Sequence, residues 1–267
     1  MHHPKWPESK TCLQAILLCI EKYKTHNPRP KNTQPSVAVI FDLDSTLFNT
    51  KHRSTAIFQS FSRNLEHIQR FGNICQSMQQ LGDTKEIYDP IEFLNHHIQP
   101  KISSPSILEK ILRDYWRERF FHSDWLIHDK LYAGAKAFIN KIYQQKHVAV
   151  VYLTARCEKA LSRGTLTSLD HHQLPHPHKH NRVRLYLKPT TYTCDITYKG
   201  TYLKNIQNNF QKCIYIENEP GIVNMAVKQY PKIDSYLYAS VHSGQTHQAH
   251  TSNIIYSWQQ DIKESSS

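Results

Sequence analysis

The sequence predicts an α/β protein: an open, parallel, Rossmann-like sheet with helices on both faces and a helical cap inserted after the first strand. Apolar, β-branched runs at 37–41, 147–153 and 212–216 have the unbroken hydrophobicity of strands buried on both faces. Helical stripes separate them, and each run ends in residues able to do chemistry: Asp42-Leu43-Asp44, Thr154-Ala155-Arg156 and Glu217-Asn218-Glu219. In open α/β sheets ligands bind beyond the carboxyl ends of the strands, where these triplets fall.

Residues 10–24 read as an amphipathic helix packing on the domain surface. The apolar stretch 15–20 is too short to span a bilayer and runs into Glu21 and Lys22. Residues 24–36 hold three prolines and no periodicity, as an entry loop does. The first strand follows at 37–41.

Residues 48–131 are far too many for an ordinary crossover loop, so they are expected to fold as a helical cap that closes over the crevice. Ile57, Phe58, Phe61, Leu65 and Ile68 fall at helical spacing, as do Ile107, Leu108, Ile111, Leu112 and Tyr115, with 83–90 as a connection. The core then comprises residues 1–47 and 132–267. Its remaining elements are a helix on Ala135, Phe138, Ile139, Ile142 and Tyr143, a second strand at 147–153, a short strand at 183–187, a helix carrying Tyr202, Leu203 and Ile206, and strands at 212–216 and 235–238. The serine-rich tail after Asp261 is expected to fray.

Thirty-three Lys and Arg against twenty-two Asp and Glu give a net charge of +11, a field that attracts anions of any kind. The excess is diffuse, so a small phosphorylated substrate is favoured over nucleic acid, and no membrane partner is indicated. The six cysteines form no C-x-x-C pair, which fits a reducing cytoplasm and excludes a disulfide framework or zinc knuckle. The tract HHQLPHPHKH at 171–180 offers five histidines, but as a loop without a fixing scaffold it makes a poor specific metal site. The aromatic residues Tyr115, Trp116, Phe120, Phe121 and Trp125 fit core packing better than a nucleobase platform.

Two carboxylates two residues apart, at the end of a buried strand, can both reach the crevice if the chain turns after Asp42. One can attack phosphorus to form an aspartyl-phosphate, and the other can protonate the leaving oxygen and then activate water. Thr154 and the backbone N–H groups beginning there suit a phosphoryl oxygen, and Glu217 with Asn218 offers hard oxygen ligands for Mg²⁺. Attack of one anion on another also needs a cation; Lys199 is the candidate, with Lys188 and Lys204 as rivals.

The ordered set FDLDST, YLTAR, a helix-opening lysine and YIENEP resembles the four motifs of the haloacid dehalogenase (HAD) superfamily, over residues 37–230. The LTAR and EP stretches are similar to those of its acid-phosphatase-like and nucleotidase-like members. The resemblance implies a HAD-like core and a Mg²⁺-dependent hydrolase of phosphomonoesters. Asp42 would be the nucleophile, Asp44 the acid/base, Thr154 the phosphoryl-binding hydroxyl and Lys199 the stabilising cation. Ser45, Thr46, Thr154, Ala155 and Arg156 would bind substrate, and Asp42, Asp44, Glu217 and Asn218 would form the metal site. Dehalogenases lack an acid at the second position, so Asp44 argues against dehalogenation. Many relatives carry two adjacent acids in the fourth motif; here the second place is Asn218, and an acid returns at Glu219. A phospho-ligand binder without turnover, a phosphatase of nucleic-acid ends and a phosphotransferase share these residues.

Overall fold

A computed structural model describes residues 12–25, 35–246 and 248–259. The entry loop lies mostly, and the serine-rich tail wholly, outside the described residues. In chain order the elements are α1 (Cys12–Thr25), β1 (Val37–Phe41), β2 (Phe48–Asn49), α2 (Lys51–Phe61), α3 (Leu65–Gln79), α4 (Pro90–His97) and α5 (Ile107–Phe120). A 3₁₀ turn (Ser123–His128) leads to β3 (Lys130–Leu131), α6 (Ala135–Gln144), β4 (Val148–Cys157), α7 (Glu158–His171) and β5 (Val183–Lys188). The chain continues with α8 (Asp195–Asn209), β6 (Lys212–Glu217), α9 (Pro220–Gln229), β7 (Ile233–Tyr238) and β8 (Ile254–Ile255).

Six strands form one parallel sheet in the order β5-β4-β1-β6-β7-β8, with β1 in register between β4 and β6. Alternation along β1 sends Val37, Val39 and Phe41 into one core and Ala38 and Ile40 into the other, as the two-residue strand period requires. The first core takes α6 and, through Leu13, Ile16 and Ile20, α1; the second takes α8 and α9. Strand β4 runs longer than the sequence pattern predicts, through Thr154 to Cys157, with a register irregularity against β5 over that stretch.

Between β2 and β3, which pair antiparallel where the chain leaves and rejoins the sheet, the segment is helical and has its own apolar cluster around Phe58, Phe61, Met78, Phe93, Leu94 and Leu112. The expected stripe through Leu65 and Ile68 does not hold. The helix stops at Ser62, Asn64 caps a new one by accepting the His67 N–H at 3.2 Å, and the change of axis turns Leu65 out to 77 % exposure. Ile107 of the second stripe is also exposed, whereas Leu112 is buried.

Trp258, fully buried, ties the C-terminal segment to the strand ends. Its ring stacks on Tyr238 at 5.2 Å and leans on Phe138 at 5.3 Å, and its indole N–H donates to the Thr46 carbonyl at 2.9 Å. Gly134 has φ +89°, and a Cβ there would lie 2.6 Å from the Trp258 carbonyl oxygen, so only glycine fits beside this residue. Trp258→Ala is expected to lower stability by about 3–5 kcal/mol in urea unfolding; a loss below about 1 kcal/mol would contradict this packing role.

Candidate active site

The strand order reverses at β1, which opens a crevice beyond its carboxyl end. The Asp42 N–H still donates to the Ile216 carbonyl at 3.0 Å, so Asp42 extends the β1–β6 register by one residue and stands beside Glu217. The chain then winds about the Leu43 carbonyl, which accepts N–H groups from Thr46, Leu47 and Phe48, and Ser45 takes the left-handed conformation at φ +56°. This turn brings Asp42 and Asp44 to one cleft.

Lys199 is buried between two acids, donating to Asp42 Oδ1 at 2.7 Å and to Glu217 Oε2 at 2.6 Å. It lies in the second turn of α8 rather than opening it. Of its rivals, Lys188 pairs with Asp195 at 2.6 Å and Lys204 is exposed. The other donors to Glu217 are the Tyr215 hydroxyl and the backbone N–H groups of Asn218 and Glu219. Its carboxylate is thus filled by four donors and anchors the lysine.

Two carboxylates share one ammonium, and electrostatics follow from that surplus. Burial, then the neighbouring Glu217 charge, pushes Asp42 up to about 7 against the opposing pull of Lys199. Burial alone would lower Lys199, but Asp42 and Glu217 outweigh it and hold the ammonium charged well above its ordinary value.

Asp44 has the opposite environment. Its carboxylate, 30 % exposed toward the cleft, accepts from Arg156 Nη2 at 2.6 Å, Arg156 Nε at 3.1 Å and Arg53 Nη2 at 2.7 Å. Burial would raise it, but Arg156 and Arg53 together prevail and keep it ionised far below the usual carboxylate range. Both guanidinium groups also reach Asp129, which is buried; Arg53 Nε donates to Oδ1 at 2.7 Å and Arg156 Nη2 to Oδ2 at 2.9 Å.

Thr154 is buried and its hydroxyl accepts the Arg156 N–H at 3.3 Å, while Ala155 and Arg156 line the same cleft. Ser45 also lines it and donates to Glu86 at 3.1 Å. Thr46 Oγ1 lies 3.3 Å from Asp42 Oδ2 and 3.1 Å from Asn218 Oδ1. The Asn218 orientation is set by its amide donating to the Val241 carbonyl at 2.7 Å.

A hydroxyl has one proton, so Thr46 cannot satisfy both oxygens at once. Together with the surplus negative charge, these two hard oxygens suit Mg²⁺, which takes one or two carboxylates and keeps several waters. Among the described residues no group of three His, Cys, Asp or Glu side chains converges as a cage, and the histidines of 171–180 form no such group.

The cleft, of about 750 Å³, is lined by Asp42, Asp44, Thr154, Lys199 and Asn218 and by Arg113, Trp116, Arg117, Phe120 and Phe121 of α5 and its end. Arg53 and Glu86 escaped the sequence reading, and Asp129 stood there only as an acid near the end of the helical segment that nothing in the sequence places. Arg53 carried a signal, since it shares the i, i+4, i+8 face of α2 with Ile57 and Phe61 and a charge on an apolar face needs buried partners. Glu86 accepts from Ser45, Thr50 and Tyr132, bonds that sequence spacing does not reveal.

No protein-family model and no curated protein matches the chain. Solved structures do resemble it. CbbY from Rhodobacter sphaeroides, in complex with phosphate, is 14 % identical with a TM-score of 0.46, covering 83 % of this chain and 94 % of that one. A HAD-superfamily hydrolase of subfamily IA from Geobacter sulfurreducens is 12 % identical with a TM-score of 0.45, over 85 % and 94 %. A haloacid dehalogenase-like family protein from Streptococcus pneumoniae is 11 % identical with a TM-score of 0.46, over 77 % and 85 %. Similarity this distant carries nothing about substrate or residue roles.

Asp42 binds its proton more tightly folded than unfolded. Its contribution to stability is therefore fully present below its ordinary value of 3.8 and is lost as pH rises through about 7. Asp42→Asn removes the surplus charge, so in metal-free buffer the variant is expected to melt above the parent at pH 8, by on the order of a few kcal/mol, and to lose that advantage at pH 5. A variant less stable than the parent at pH 8 would contradict the charge assignment.

Proposed function

We propose that the protein is a Mg²⁺-dependent phosphohydrolase that cleaves phosphomonoesters through an aspartyl-phosphate on Asp42. The observation that carries this is the Asp42–Lys199–Glu217 trio, buried at the switch point of the sheet and opening on the same cleft as Thr154 and Asp44. Lys199 donates to Asp42 Oδ1 at 2.7 Å and so orients the nucleophile. Lys199 offsets the charge brought together when a carboxylate meets a phosphate, and Thr154 receives a phosphoryl oxygen. Asp42 Oδ2 and Asn218 Oδ1, with the Asp44 backbone carbonyl, would hold Mg²⁺, which supplies charge neutralisation at the phosphoryl group.

Asp44 lines the cleft two residues from the nucleophile and is 30 % exposed toward it, which supports it as acid/base. A carboxylate gripped by two arginines does not give up protons, because it does not hold one. The reading therefore requires that Arg156 turn toward the incoming phosphoryl oxygens. That leaves Asp44 with Arg53 alone and raises its proton affinity, so that it takes up a proton from solvent as substrate binds and passes that proton to the leaving oxygen. After departure it accepts the proton of the attacking water. Residues 48–131 act as the cap: α2 delivers Arg53 and α5 faces the nucleophile.

A phospho-ligand binder without turnover is the second reading, favoured by the doubly paired Asp44. Turnover separates the two. With Mg²⁺, the protein is expected to release phosphate from a panel of sugar phosphates, glycerol phosphate and nucleotides. Chelation should abolish release, Asp42→Asn should lower it on the order of 10³-fold or more, and Asp44→Asn by about 10²–10⁴-fold. Release no faster than from Asp42→Asn on every substrate would defeat the hydrolase.

A further inference from the structure

We infer that the loop leaving β7, residues 239–246, is a strap that aims the side-chain oxygen of Asn218 beside Asp42, and that it requires an amide rather than a carboxylate at position 218. This rests on the phosphohydrolase reading and adds to it how the cation side of the site is positioned.

Residues 239–246 form no regular element, yet they are tied to the crevice at several points. Ser240 Oγ donates to the Ser45 carbonyl at 2.5 Å, on the turn that carries Asp42 and Asp44. The Val241 carbonyl accepts from Asn218 Nδ2 at 2.7 Å, and both residues line the cleft. Ser243 donates twice to Glu219, from its N–H to Oε1 at 2.8 Å and from its hydroxyl to Oε2 at 2.9 Å. Further along, a Cβ at Gly221 would lie 3.1 Å from Thr246 Oγ1, so the strap also packs closely on the first turn of α9. These anchors all fall on the catalytic turn or on residues 218–221.

The Val241 carbonyl can only accept a hydrogen bond, so it must meet the amide nitrogen of Asn218 and never the oxygen. That choice sends Oδ1 to the other side, where the Thr46 hydroxyl lies 3.1 Å from it and 3.3 Å from Asp42 Oδ2. Asn218 is buried, and a buried amide keeps the orientation in which both of its ends are paired. One neutral oxygen is thereby fixed beside the nucleophile.

A carboxylate at 218 has no donor to offer. One of its oxygens would stand against the Val241 carbonyl, lone pair against lone pair, where the amide now bonds at 2.7 Å. Its charge would join Asp42 and Glu217, which already share one ammonium. The strap would have to let go. Asparagine is therefore the residue the strap demands, and not a weakened copy of an acid. An added carboxylate ordinarily strengthens the hold on a hard cation, so the two accounts differ in sign.

Mg²⁺ affinity is measured by isothermal titration calorimetry, and amide exchange in metal-free buffer by mass spectrometry, for the parent, Asn218→Asp and Ser243→Ala. Asn218→Asp is expected to weaken Mg²⁺ binding severalfold in spite of its added charge. It is also expected to speed exchange of residues 239–246 at least tenfold while β4 peptides keep the parent rate. Ser243→Ala removes a bond to Glu219 and leaves Asn218 and Asp42 intact, and it too is expected to weaken Mg²⁺ binding severalfold.

Binding by Asn218→Asp as tight as the parent's or tighter, or unchanged binding by Ser243→Ala, would overturn the inference. Should Asn218→Asp fail to fold, Ser243→Ala decides. If the parent binds no Mg²⁺, the metal-dependent reading falls and the strap is judged on exchange alone. Acceleration confined to residues 239–246 in Asn218→Asp then upholds the demand for an amide; parent-like exchange, or acceleration shared equally by β4, removes it.

Discussion

The structure turns on a shortage of positive charge: one buried ammonium, Lys199, serves two buried carboxylates, Asp42 and Glu217. Sheet register creates that crowding. Phe41 pairs with Ile216, so the next residue on each strand is an acid, and adjacent parallel strands hold the two side by side. Apolar residues of similar volume would stabilise such a place as well or better, since a buried ion cluster seldom repays its desolvation. The trio is therefore better explained by chemistry than by stability. A surplus anion next to two under-donated oxygens is an arrangement that suits a hard cation.

Two residues away the balance is reversed. Asp44 and Asp129 share two arginines, whereas Asp42 and Glu217 share one lysine, so neighbouring carboxylates of one turn are driven in opposite directions, Asp42 up and Asp44 down. Separation of this kind is how one site keeps distinct roles for two identical groups. Arg53 comes from α2 and Arg156 from the end of β4, with Asp129 buried between them on the return path of the helical segment. Asp44 is thus the point at which the helical segment and the sheet grip the same atoms. Any shift of α2 changes the charge environment of the acid/base directly.

Much of this was legible in the sequence because parallel strands buried on both faces have an unmistakable pattern, and because the residues just past them have few places to go. The runs at 37–41 and 212–216 put Asp42 and Glu217 at strand ends facing one crevice, and chain order singled out Lys199; that the two strands are adjacent comes from the register alone. The phase of the helical segment was less legible: a three-residue break after Phe61 was enough to rotate Leu65 and Ile68 off the apolar face. The partners of Asp44 were hidden for a different reason. Arg53 and Arg156 come from different parts of the chain and meet Asp44 through tertiary packing; the sequence reading placed Arg156 in the crevice as a substrate-binding residue but did not pair it with Asp44. The α5 aromatics were read as core, and Tyr115 and Trp116 do pack against the helical cluster; Trp116 also lines the cleft, with Phe120 and Phe121, because one helix carries two faces.

The most direct measurement is the covalent state of Asp42 during turnover. The protein is mixed with Mg²⁺ and a phosphomonoester that it cleaves, quenched in acid within the first turnovers, trapped by borohydride reduction and mapped by peptide mass spectrometry. The account predicts modification confined to Asp42. Turnover with no modified Asp42, or with the label on another residue, would contradict it.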